Sequence, residues 1–290
     1  MATLRIATRG SPLARWQAEF VAASLTDAHP GVECELVIVS TEGDRRTDVP
    51  LAVIGGKGVF VKEIQHAVLD GRADVAVHSA KDLPAVTSEG LVIAAAPQRA
   101  DPADGLVGRR LDDIALGGSV ATGSQRRAAQ LRALRPDLEI RPLRGNMDRR
   151  IDAARHHDAV VVAAAALDRL GRGSELAQRF DTEVMVPQVG QGTMAVECRA
   201  GDASTWELLA PLEHGPTRTA LDAERAFLQA LGGDCDLPAG AYARISPEGL
   251  TILGVLEGVD RILHRRSLVG SDGVAMGREL ADALGRDAGR

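Results

Sequence analysis

The chain of 290 residues predicts an α/β protein: two α/β domains followed by a smaller C-terminal α+β domain. Three observations carry that reading. Short apolar runs alternate with amphipathic helical stretches through the first hundred residues. The series breaks at "PQRADPADG" (97–105), rich in Pro, Asp and Gly, and then resumes. After residue 239 the pattern changes to "AYARISPEGLTILGVLEG" and "RILHRRSLVG", an antiparallel meander closed by a helix.

Each element has its own justification. "TLRIAT" (3–8) is a strand leading into a helix over 12–25, with Ser11 as N-cap and Pro12 as its first residue. "CELVIVS" (34–40) precedes a helix over 59–69, where Phe60, Ile64, Ala67 and Val68 share one face. "ADVAVH" (73–78) and "LVIAAA" (91–96) read as further strands, buried and mainly parallel. The second series takes "GSVAT" (118–122), "LEIRPL" (138–143) and "DAVVVAAA" (158–165) as strands, with helices over 125–134 and 147–156. "PQVGQG" (187–192) is a return crossing, and a further helix runs from "HGPT" (214–217) to Leu231. Trp16 and Trp206 lie on apolar helix faces and read as core. No internal repeat is present.

Composition narrows the classes of function. A chain with 45% hydrophobic and 26% charged residues is a folded globular protein, and no apolar run approaches the roughly 20 residues that span a bilayer. Residues 1–10 lack the apolar core of a secretory signal, so a cytoplasmic location with no membrane partner is expected. A formal net charge of -6 with 2% aromatic residues argues against nucleic-acid binding. Cys34, Cys198 and Cys235 are odd in number and lack CxxC spacing, which suggests neither a disulfide framework nor a metal site. Cys34 and Cys198 sit in strand-like runs and read as buried thiols; Cys235 sits among turn residues, in "GGDCDLPAG" (232–240), between Asp234 and Asp236.

The cations fall where helix energetics disfavours them. A helix N-terminus carries a partial positive charge, so a basic residue there costs roughly 0.3 to 1 kcal/mol. Arg9 and Arg15 flank the first helix start, and Lys57 and Lys62 the second. Arg126 and Arg127 follow the N-cap Ser124, while Arg144, Arg149 and Arg150 surround the N-cap Asn146. One such cluster reads as a solvated face. Four in strand-to-helix loops read as an anion-binding cleft at the strand C-terminal ends. Arginine favours bidentate capture of carboxylate or phosphate, and "GGKG" lacks the spacing of a phosphate-binding P-loop, so several carboxylates suit the clusters at least as well as a nucleotide. "ADVAVHSAKDLP" (73–84) delivers His78, Ser79, Lys81 and Asp82 to the end of a strand. A lone Asp82 there reads as a turn residue paired with Lys81. Beside an anion cleft it reads as a general acid/base or the stabiliser of a cationic intermediate.

Taken together, "ATRGSPLARWQA" (7–18), "GGKGVFVKEI" (55–64), "RADVAVHSAKDLP" (72–84), "LRGNMDRRI" (143–151), "LDRLG" (167–171), "VGQG" (189–192) and "GGDCDLP" (232–238) resemble the hydroxymethylbilane synthase (porphobilinogen deaminase) family over nearly the whole chain. The resemblance implies two domains like those of type II periplasmic binding proteins: domain 1 over 1–98 and 193–213, and an inserted domain 2 over 99–192. It also implies domain 3 over 216–290, carrying the cofactor cysteine. It implies a transferase of porphyrin biosynthesis that joins four porphobilinogen molecules with loss of ammonia on a covalently bound dipyrromethane primer, then releases the linear tetrapyrrole. By matching motifs, Asp82 is catalytic and Cys235 holds the cofactor by a thioether. Lys81, Ser124, Arg126, Arg127, Arg144, Gly145 and Asp44 complete the cofactor set. Arg9, Ser11, Arg144, Arg150, Arg169, Gln191, Lys57 and Phe60 form the substrate set. The resemblance also implies a monomer without a metal, and residues 41–58 read as a lid. Two positions depart from the family pattern: Gly123 replaces a serine, and Asp234 stands where glycine is usual. The competing expectation is a non-catalytic two-domain binding protein for a polycarboxylate ligand, which needs neither Cys235 nor Asp82.

Overall fold

The structure, a computed structural model, describes residues 3–41, 61–233 and 237–290. The chain divides into two compact units, Met1–Arg99 with Thr193–Thr219, and Ala100–Gly192 with Ala220–Arg290. The elements of the first half are β1 (Thr3–Arg9), α1 (Pro12–Ala28), β2 (Glu33–Val39), α2 (Lys62–Leu69), β3 (Val75–Ser79) and β4 (Leu91–Ala95). The chain continues with β5 (Asp104–Gly108), β6 (Ser119–Ala121), α3 (Gln125–Leu134), β7 (Glu139–Arg141), α4 (Met147–Ala153), β8 (Ala159–Ala163), α5 (Ala164–Arg169) and β9 (Leu176–Arg179). It closes with β10 (Met194–Arg199), α6 (Ala203–Leu209), α7 (Gly215–Ala230), β11 (Ala239–Ser246), β12 (Gly249–Glu257), β13 (Leu263–Gly270) and α8 (Gly273–Asp287).

In the first unit five strands form one sheet in the order β2-β1-β3-β10-β4. Strand alternation divides its two faces. Leu4, Ile6, Val75, Val77 and Val196 pack with Ala18, Val21 and Leu25, the inward stripe of α1. Ala7, Val39 and Ala76 pack with Ile64, Ala67 and Val68 of α2 on the opposite face. Of the apolar face expected on that helix, Phe60 lies outside the described residues. The α2 helix is described from Lys62 onward rather than from 59, and α1 runs three residues beyond the expected 25.

The second unit repeats the plan with the order β7-β6-β8-β5-β9. Leu131 of α3 covers one face with Leu106, Val120 and Val161, while Ile151 and Leu167 from α4 and α5 cover the other with Val107, Val160 and Val162. The same unit contains a three-stranded antiparallel sheet, β11-β12-β13. Leu280, Ala281 and Leu284 on the buried stripe of α8 close it. A Cβ on Gly254 would lie 2.9 Å from Leu280, so the bare backbone of β12 is what lets α8 seat there. Gly277 of α8 passes α7 so closely that a Cβ would stand 2.2 Å from the Ala223 carbonyl oxygen. Glu224, fully buried, ties this sheet inward: its carboxylate accepts from Gly190 N at 2.6 Å and Ala243 N at 2.8 Å.

Both large sheets are mixed rather than mainly parallel. The late-arriving β10 runs antiparallel to β3 and β4, and β5 runs antiparallel to β8 and β9. Neither β5 nor β9 was expected. β5 is "DGLVG", where Gly105 admits a neighbour so close that a Cβ would meet Gln178 O at 2.8 Å. The strand expected over 158–165 yields to α5 at Ala164, and the helix expected to 156 ends at Ala153. Trp206 is 44% exposed and Trp16 stacks on the half-exposed Phe20, so neither belongs to the core. Cys198 is fully buried in β10, and burial pushes its thiol up to about 11. Cys34 in β2 is only half-buried, contrary to expectation. Among the described residues no helix is long and apolar enough to cross a membrane.

Candidate active site

In the first unit β1 and β3 run parallel, so their C-terminal ends fall at the same edge of the sheet. Arg9 ends β1, and Ser11 caps α1, its Oγ accepting from Ala14 N at 3.4 Å. β3 ends at Ser79 and turns at once through one 3-10 turn, Ala80–Asp82, that Leu83 and Pro84 terminate. Arg9, Ser11, Gln17, His78, Ser79 and Asp82 line one concavity, with Ile64 and Val77 among its apolar walls. Lys81 occupies the same turn between Ala80 and Asp82. The carboxylate of Asp82 thus shares a wall with the cation of Arg9 and three neutral donors.

Two residues that brace this wall were not expected. Gln17, 3% exposed, donates from Nε2 to Ser79 Oγ at 2.8 Å, so α1 holds the start of the Asp82 turn. Glu197 of β10, 1% exposed, stands 3.2 Å from Nε2 of His78, itself buried. Gln65 donates to that carboxylate at 2.9 Å and accepts from Ser88 Oγ at 2.8 Å. His78 therefore has a carboxylate at its back, inside the sheet. The sequence offered one weak signal for either, namely polar residues at otherwise apolar positions of a strand and a helix.

The second unit places its set at the corresponding ends of its parallel strands β6, β7 and β8. After β6, Ser124 caps α3 and accepts from Arg127 N at 3.4 Å. The second and third residues of that helix are buried arginines, Arg126 at 3% and Arg127 at 4% exposed. Their counter-ion is Asp104, fully buried at the start of β5 and 2.7 Å from each guanidinium. Burial alone would push the Asp104 carboxyl up; the two guanidinium charges outweigh it and hold the group well below the ordinary carboxylate range. Burial pulls Arg126 down from its ordinary value, against the attraction of Asp104.

The two arginines are not equivalent. Arg127 donates from Nε and Nη2 to Asp104 Oδ1, at 3.0 and 2.7 Å, and from Nη1 to Val161 O at 3.0 Å. All three of its nitrogens are committed to the protein. Arg126 donates from Nη1 to Val186 O at 2.6 Å, while its Nε and Nη2 are buried without a hydrogen-bond acceptor among the described residues. Gln191, with no exposed surface, donates to Asp104 Oδ1 at 2.9 Å and to Pro102 O at 2.8 Å.

After β7, Gly145 adopts φ 121°, which only glycine takes without strain, and its carbonyl accepts from Arg150 Nε at 2.9 Å. Arg144 and Asn146 flank it, and Asn146 caps α4 by accepting from Arg149 N at 3.1 Å. Arg169 ends α5 and donates to Gly192 O at 2.7 Å; burial brings its guanidinium down to about 10. Gly123 has a steric reason: a Cβ there would stand 2.3 Å from Leu143 O, which leaves no room for the family's serine. Asp44, Lys57, Phe60, Asp234 and Cys235, with nearly all of the expected lid, lie outside the described residues. Among the described residues no group of three or more His, Cys, Asp or Glu is placed to hold a metal ion.

In the first unit a carboxylate lies beside a strand-end cation, and in the second a strand-end arginine has buried donors without an acceptor among the described residues; each suits an α/β enzyme for polycarboxylate substrates. Comparison with known proteins supplies the family. A family model described as "Porphobilinogen deaminase, dipyromethane cofactor binding domain" matches residues 4–207, and "Porphobilinogen deaminase, C-terminal domain" matches 219–285. Relatives named porphobilinogen deaminase include one from Syntrophus aciditrophicus, 47% identical over 99% of this chain and 96% of its own length. Another, from Xanthomonas euvesicatoria pv. vesicatoria, is 46% identical over 98% and 96%. The chain belongs to the porphobilinogen deaminase family. It is a transferase, hydroxymethylbilane synthase, whose cofactor is dipyrromethane and whose substrate is porphobilinogen. Among solved structures, the methionine-binding protein MetQ is 13% identical with a TM-score of 0.46 over 72% of this chain and 88% of its own, too distant to argue from.

The dipyrromethane brings acetate and propionate carboxylates, and Arg126 fits such a group. Nε–H and Nη2–H form the side-on fork that a carboxylate accepts, and both are buried with no acceptor among the described residues.

Proposed function

We propose that this enzyme divides its work between an acid and a set of anion holders. Asp82 is the catalytic residue: its carboxylate assists departure of ammonia from porphobilinogen and balances the positive charge that develops on the substrate carbon and pyrrole nitrogen. The single observation supporting this is that Asp82 lines the same concavity as Arg9, Ser11 and Ser79. A carboxylate among anion-binding groups is costly unless the bound molecule carries a cationic centre as well as carboxylates, which the aminomethyl pyrrole does.

Arg9, Ser11, Lys57, Phe60, Arg144, Arg150, Arg169 and Gln191 form the proposed substrate set, and Lys81, Ser124, Arg126, Arg127, Arg144, Gly145 and Asp44 the cofactor set. Within these sets two modes of action are proposed. Arg9, Ser11 and Arg126 have the placement to meet a carboxylate directly. Arg127 and Gln191 hold Asp104 and strand ends in place, so their part is to position. Cys235 is the proposed thioether anchor. Bound dipyrromethane supplies the nucleophilic pyrrole carbon on which the chain grows. Of three proposed domains, 1–98 with 193–213 carries Asp82, 99–192 the arginine cluster and 216–290 the anchor. The enzyme is proposed to be a cytoplasmic monomer.

Incubating the purified protein with porphobilinogen tests the function as a whole. Ammonia should appear in a ratio of about four per linear tetrapyrrole released, as the condensation of four aminomethyl pyrroles requires. Binding of porphobilinogen without any ammonia release would favour the non-catalytic binding protein instead.

A further inference from the structure

The arginine cluster contains a residue for which the catalytic account has no role, although it is the most deeply buried charge there. Asp104 has no exposed surface, and both guanidinium groups of the cluster close on it at 2.7 Å. Two cations against one carboxylate leave the cluster with an uncompensated charge of +1 among the described residues. A buried uncompensated charge is expensive, and a native site keeps one only where something else completes it. The unused hydrogen-bonding capacity belongs to Arg126. Arg127 spends its fork on Asp104 and its last nitrogen on Val161 O, whereas Arg126 meets the carboxylate through Nη1, and its Nε and Nη2 have no acceptor among the described residues.

We propose that Asp104 is a positioning residue of the cofactor site: its carboxylate absorbs the fork of Arg127 and one end of Arg126, and so aims the remaining fork of Arg126 at a ligand carboxylate. The stem of Arg126 is held from the other side as well. Gly240 of β11 approaches it so closely that a Cβ would lie 2.8 Å from Arg126 Cδ, and Val186 O fixes Nη1 at 2.6 Å. With its stem clamped and one nitrogen pinned, the guanidinium plane has one orientation, which is what bidentate capture of a planar carboxylate needs. Gln191, donating to Asp104 Oδ1 at 2.9 Å and Pro102 O at 2.8 Å, keeps the carboxylate itself from turning.

The position has a consequence of definite sign. Asp104 is an anion beside an anion site, so if only the local field mattered, neutralising it would strengthen the grip on a carboxylate. If Asp104 aims Arg126, neutralising it weakens that grip, because the fork loses its fixed orientation. A purely structural role would lower the melting temperature and leave ligand affinity alone.

The proposal rests on Arg126 meeting a carboxylate, so the experiment carries Arg126→Gln beside Asp104→Asn. Each variant is purified from cells making porphobilinogen; its intact mass gives the fraction carrying dipyrromethane, thermal melting reports folding, and the KM for porphobilinogen is measured on the loaded fraction. For Asp104→Asn the loaded fraction should fall, or KM rise, by about tenfold or more, the size of one hydrogen bond to a charged group lost from fixed geometry. Because Asp104→Asn leaves two buried cations facing each other, the double variant Asp104→Asn with Arg127→Gln is prepared too. It restores the net charge of +1 without restoring the carboxylate, and the same loss is expected. Wild-type or improved loading and KM in either folded variant overturns the role of Asp104. Normal loading in Arg126→Gln overturns instead the carboxylate role of Arg126.

Discussion

Asp82→Asn is expected to retain the mass of the bound dipyrromethane and to lose turnover by roughly a hundredfold or more, the usual contribution of a placed acid or base. The substitution keeps the size of the side chain, exchanges one acceptor oxygen for an NH2 donor, and removes the charge and the titratable proton. Arg9, Ser11 and Ser79, which line the same concavity, are untouched, as are Gln17 behind the turn and the second unit's arginines. Carboxylate binding should therefore survive, with KM changed far less than kcat. A variant that turns over at the wild-type rate would remove Asp82 from the chemistry. One that fails to carry the cofactor would make it a holding residue instead.

Cys235→Ser is expected to abolish both the covalent group and turnover. A serine hydroxyl at neutral pH has almost no alkoxide and needs an adjacent base to act as a nucleophile. Its neighbours Asp234 and Asp236 would disfavour a thiolate at position 235, which suits an anchor that reacts once with a strong electrophile better than a repeatedly used nucleophile. The serine variant should melt close to the temperature of unloaded wild-type protein, so that lost activity is not lost folding. Turnover at the wild-type rate by Cys235→Ser would separate the cysteine from the reaction altogether.

The sequence made some parts of this site readable and concealed others for physical reasons. The strand-to-turn switch at "VHSAKDLP" placed Asp82 correctly, because an apolar run broken by polar residues and a proline has few other solutions. The helix caps Ser11, Ser124 and Asn146 were equally legible, since each is a short polar residue directly before a helical pattern. Arg126 and Arg127 fall together in the expected cofactor set, yet adjacent helix residues point about 100° apart, and among the described residues only Arg126 keeps a fork without an acceptor. What separates them is Asp104, twenty-two residues upstream of Arg126 in a stretch that reads as a connecting loop. Long-range pairing of that kind leaves no periodic trace. Strands β5 and β9 were missed for a related reason: they are short, and their partners rather than their composition make them strands. Gln17 and Glu197 look like ordinary polar residues until the sheet brings Ser79 and His78 against them. Gly123 shows the reverse case, where a departure from the family pattern becomes intelligible only through the nearby Leu143 carbonyl.

Growth of the product on a dipyrromethane tethered to Cys235 is the step on which the whole proposed function depends. Intact mass of the purified wild-type protein under denaturing conditions tests it most directly. The mass should exceed that of the 290-residue polypeptide by one dipyrromethane, with the excess on the peptide containing Cys235. Fully active protein at the bare polypeptide mass would contradict it.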